Sequence, residues 1–98
     1  MFSDCLLLPE GFEEYAWEVE AKGYFSEAKL VLAGRQYRLN FIDPVRLSQD
    51  VATEFESGRI FFEPNLVVIP SVTRANMEKA VEELLMQSGI AKLLTADS

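Results

Sequence analysis

A chain of 98 residues in which 49% of side chains are hydrophobic is one domain's worth of sequence, 1–98, and too apolar for a disordered tail. Sixteen acids against nine bases give a net charge of −7, and a surface that acidic is repelled by a nucleic-acid backbone. The absence of histidine and the single cysteine, Cys5, exclude the Ser-His-Asp triad, the Cys–His pair, His/Cys zinc sets and an intrachain disulfide.

The opening stretch "MFSDCLLLPEGF" has a short leucine run without a basic region before it, and Asp4 interrupts it, so it does not read as a signal peptide. No run approaches the roughly 18 apolar residues of a membrane helix. A small domain without disulfides fits a reducing compartment, so the expected location is cytoplasmic. Charge is unevenly spread. Residues 1–21 carry Asp4, Glu10, Glu13, Glu14, Glu18 and Glu20 and no base, whereas the rest of the chain is close to neutral. That run is either a solvated face or a docking surface for a basic protein partner.

The segment "EEYAWEVEA" (13–21) alternates with period two. Tyr15, Trp17, Val19 and Ala21 fall on one side and Glu14, Glu18 and Glu20 on the other, which predicts a half-buried strand with Trp17 filling the core. Lys22-Gly23 is then a tight turn or a bulge. The segments 27–33 and 36–42 alternate as well, with Gly34-Arg35 between them. A two-residue turn there predicts a hairpin pairing Leu32 with Tyr37, Leu30 with Leu39 and Ala28 with Phe41.

A helix over 44–57 follows, with Asp43 as its N-cap, Pro44 in its first position, the stripe Leu47, Val51 and Phe55, and Gly58 at its end. In "FFEPNLVVIP" (61–70) the prolines leave room for a strand only over Asn65–Ile69. A second helix begins at Thr73, buries Met77, Ala80, Val81, Leu84 and Leu85, and ends at Ser88-Gly89. Ile90, Leu93 and Leu94 add a short helical turn before the polar tail "TADS".

The element order is therefore β-β-β-α-β-α. A right-handed crossover makes the fourth strand parallel to its neighbour. That neighbour is either the first or the third strand, with the order 3-2-1-4 preferred. The expected fold is α+β: a two-layer sandwich of a mixed four-stranded sheet with two helices on one face.

Two surfaces stand out as partner-binding candidates. One is a charged face of Glu14, Glu18, Glu20 and Arg38. The other is an apolar patch of Val31, Val67 and Ile69, placed on the open sheet face because Leu66 and Val68 are taken as the inward residues. The patch suits a second copy of the chain, as a homodimer, or a different protein. No cofactor, metal site, nucleic acid or membrane is expected. The five glycines are too far apart for a phosphate loop, and nothing near Cys5 lowers its pKa. The reading is a small acidic protein-interaction module of the adaptor, inhibitor or immunity type. The alternative, kept open, is a ligand-binding domain or minor enzyme that uses carboxylate chemistry in a sheet–helix cleft, with Arg38 or Arg46 beside a buried glutamate.

Overall fold

The two alternating segments in the middle of the chain form the two longest strands. A computed structural model describes residues 5–87 and 89–94. Its elements are β1 (Leu6–Leu7), α1 (Phe12–Lys22), β2 (Tyr24–Leu32), β3 (Arg35–Ile42), α2 (Pro44–Glu56), β4 (Leu66–Val68), α3 (Arg74–Leu85) and α4 (Ile90–Leu93). The sheet order is β1-β2-β3-β4, with β1, β2 and β3 antiparallel and β4 parallel to β3. The fold is α+β on a mixed four-stranded sheet, as expected, but one of its strands is not an expected one.

Residues 13–21 are helical. Phe12, Tyr15, Ala16 and Val19 recur at i, i+3, i+4 and i+7, and that spacing decides the matter against the period-two pattern. Glycines bracket the helix: Gly11 and Gly23 both take left-handed backbone, and Gly23 N–H closes onto the carbonyls of Val19 and Glu20. Glu13 and Glu14 in the first turn and Lys22 in the last suit the helix dipole. Trp17, expected inside, lies outside. The place of the missing strand is taken by the leucine run, where Leu6 pairs with Leu30 and Leu7 with Lys29.

The hairpin forms with its turn one residue earlier than expected. Ala33 and Gly34 both have positive φ, 52° and 78°, as a type I′ turn requires. The pairs become Leu30 with Tyr37 and Ala28 with Leu39. This register differs by two residues from the expected one, so every side chain keeps its face. A bulge between Phe25 and Ala28 then changes the phase of β2. It brings Phe25 to the same side as Ala28 and Leu30 and turns Tyr24 to the other.

Asp43 Oδ1 accepts from Arg46 N–H at 2.7 Å and Pro44 opens α2, while Thr73 caps α3 through Asn76 N–H. Both caps match the sequence reading. β4 lies beside β3 rather than beside the first strand. Its phase is also the reverse of that expected: Val67 pairs with Phe41, a fully buried residue, and so shares its face. Ile69 is buried with it, and Val68 is exposed. Four consecutive apolar residues, Leu66–Ile69, carry no alternation from which a phase can be read.

The core joins Leu6, Phe12, Val19, Phe25, Ala28, Leu30, Tyr37, Leu39, Phe41, Ile69, Val72, Met77, Ala80 and Val81. It thus draws on α1, α3 and the sheet. The two predicted helices do not share it: α3 contributes three buried residues and α2 none. Ser88 and the tail 95–98, assigned above to a helix end and a polar tail, lie outside the described residues, as does Asp4.

Candidate interaction surface

The folding of 13–21 as a helix rearranges the acidic face. Tyr15 has non-helical backbone (φ −126°, ψ 18°) and kinks α1, so Glu13 and Glu14 stand before the kink and Trp17, Glu18 and Glu20 after it. All are exposed, and Trp17 is 70% exposed. A large aromatic side chain in water, on a helix that also exposes Glu13, Glu14, Glu18 and Glu20, is therefore the principal feature of the outward side of α1. Phe12 and Val19 hold the opposite side in the core, with the Phe12 ring edge-on to Tyr15 and Phe25 at 5.5 and 5.2 Å. Glu13 reaches across to α3, where Arg74 Nη1 donates to its Oε2 at 2.6 Å while Arg74 Nε donates to Glu78. Those two carboxylates raise the pKa of the Arg74 guanidinium.

Arg38 is not part of this face. It lies opposite Lys29 in the β2–β3 register and borders a cleft of about 370 Å³ with Leu7, Leu8, Ser26 and Glu27. The expected apolar patch is not assembled either. Val67 and Ile69 turn toward the core, and Val31, half-buried, points to the other side of the sheet.

Apolar exposure occurs elsewhere, on α2 and the arm that follows it. Phe55 is 63% exposed, Ile60 80% and Phe62 78%, and Val45 is exposed as well. The arm is tied down by a polar cluster. Tyr24 Oη donates to Glu63 Oε2 at 2.5 Å. The Arg46 guanidinium lies 5.4 Å from the Tyr24 ring centroid, and its nitrogens donate to Asp50 Oδ1 and to the Lys22 carbonyl. Burial, followed by the bond to Glu63, pushes the Tyr24 hydroxyl up to about 12, so it keeps its proton at neutral pH. Arg46 thus pairs with Asp50 rather than with a buried glutamate, and the Tyr24–Glu63 bond beside it serves as a latch on the arm. A second latch joins Pro64-Asn65 to β3: Asn40 Nδ2 donates to the Pro64 carbonyl and Asn65 Nδ2 to the Arg38 carbonyl.

Among the described residues, no group of three or more Cys, Asp or Glu side chains is placed to hold a metal ion, and no helix is long and apolar enough to cross a membrane. The chain matches no family model, no curated protein and no solved structure.

Sequence reasoning found the glutamates but missed Trp17. The missed signal was Gly11 and Gly23 at either end of the segment, since glycine is the usual residue just beyond a helix C-terminus.

Proposed function

We propose that the chain is a protein-interaction module whose α1 outer face docks a basic partner. The observation that supports this most is the exposed Trp17 amid Glu13, Glu14, Glu18 and Glu20. Tryptophan is over-represented among residues that dominate binding energy, because it combines a large apolar area with few rotatable bonds. Its ring face attracts cations, and carboxylates around it add charge-assisted hydrogen bonds to lysine or arginine. The same acids accelerate encounter with a positively charged protein. Anchoring by Phe12 and Val19 fixes the helix that carries the indole before binding, which lowers the ordering cost. An adaptor or an inhibitor of a basic protein fits this surface, acting in the cytoplasm.

The test uses the chain's single tryptophan, whose fluorescence reports on this face alone. Titration with an arginine-rich hexapeptide should change Trp17 emission saturably, and the response should weaken as salt rises. The triple variant Glu14→Gln, Glu18→Gln, Glu20→Gln should lose most of it while melting normally. Emission indifferent to the peptide, or a response unaffected by salt, would contradict the proposal.

A further inference from the structure

β4 is the last strand of the sheet, and the two faces of its backbone differ. Asn40 N–H donates to the Asn65 carbonyl and Ile69 N–H donates to the Ile42 carbonyl, so the carbonyl of residue 65 and the N–H of residue 69 are spent on β3. In a parallel ladder the intervening residues point the other way. The N–H and C=O groups of Leu66 and Val68 therefore face the free edge. Pro64 and Pro70 stand just outside this short segment and keep it from extending, which limits indiscriminate pairing with other sheet edges.

A groove of about 330 Å³ runs between this strand and α3. Val67, Ile69, Ala80 and Leu84 supply its apolar lining, and Lys79 and Glu83 stand beside them. Only an extended backbone satisfies donors and acceptors that alternate at a two-residue repeat. Only alternate side chains of such a segment would reach the apolar lining.

We infer that this groove accepts an extended peptide segment as a fifth strand, paired to the backbone of Leu66 and Val68, with apolar side chains at alternate positions turned toward Ala80 and Leu84. Lys79 and Glu83 offer one contact each to an acidic and a basic side chain of the segment. The site is separate from the α1 face and does not depend on it.

The test is an amide NMR titration of the full chain with capped pentapeptides that carry Val, Ile, Leu or Phe at the two groove-facing positions. At least one should give saturable shifts centred on Leu66, Val68, Lys79 and Leu84, together with slowed exchange of the Leu66 and Val68 amide protons. The same peptide N-methylated at alternate residues should give no such shifts, because it lacks the donors. Val68→Pro removes an outward N–H without touching the β3 ladder. It should melt close to the parent and fail to bind. Three outcomes would overturn the inference: no saturable shift from any of the peptides, equal binding by the N-methylated form or by Val68→Pro, or the same residues shifting with protein concentration alone. The last would mean that a second copy takes the edge.

Discussion

Helices α1 and α2 both display an aromatic side chain to water, Trp17 on one and Phe55 on the other, but they hold it differently. α1 buries Phe12 and Val19 in the core and is closed by glycines at both ends. α2 has no buried residue, and its expected inward side chains, Leu47 and Val51, are only half-buried. Its position depends on polar contacts instead: the Asp43 cap, the Arg46 contacts and the Tyr24–Glu63 bond beside it. An anchored helix presents its exposed aromatic in a fixed setting. A helix held by its ends presents an apolar stripe that the described residues cover only in part.

The largest expected effect sharpens this contrast directly. Phe12→Ala empties a packed site and should cost roughly 3–5 kcal/mol, whereas Leu47→Ala should cost about 1 kcal/mol or less. Chemical denaturation of the two variants provides the comparison, and equal losses would break it.

The joint between the two helices comes next. Gly23 has φ of 71°, its carbonyl accepts from Asp43 N–H, and a Cβ there would lie 2.4 Å from Asp43 Oδ2. Gly23→Ala should therefore strain the backbone and displace the α2 cap together, for a loss of about 2–4 kcal/mol. A melting temperature lowered by only a degree or two would show that the two helices are not coupled at this point.

Tyr24→Phe should cost roughly 0.5–1.5 kcal/mol at neutral pH through the lost bond to Glu63. Because the folded-state pKa of Tyr24 is raised from 10.0 to about 12, the protonated hydroxyl stabilises the native chain. That contribution is fully present below pH 10 and fades as pH rises through about 12. Melting curves of parent and variant should converge over that window. A gap that stays constant to pH 12 would remove the latch from the account.

The smallest effect is a gain. Ala33 sits at φ of 52° in a turn that favours asparagine, so Ala33→Asn should raise stability by roughly 0.5–1 kcal/mol. A loss would mean that the turn differs from type I′.

Where local chemistry and tertiary packing agreed, the sequence was legible. Asp43-Pro44 and Thr73 announced two helices because caps are local. The hairpin faces survived an incorrect turn because a two-residue slip preserves them. Two places resisted. Segment 13–21 carries both a period-two and a helical pattern, and what separates them lies beside it: the burial of Phe12 and the glycines at 11 and 23. The run "NLVVI" has no polar residue between Leu66 and Ile69 to mark its phase, and Val67 and Ile69 face the core rather than the open side. The candidate site suffered from the first error. Its glutamates are visible as composition, but the exposure of Trp17 depends on the helix that replaces the expected strand.

The most direct measurement of the central claim is collisional quenching of Trp17 fluorescence by caesium and by iodide in the free chain. An exposed indole on a helix that carries exposed glutamates should be readily quenched by caesium and much less by iodide, and the Glu14, Glu18, Glu20→Gln variant should reduce that difference. A Trp17 that neither ion reaches, or that both reach equally, would contradict the account.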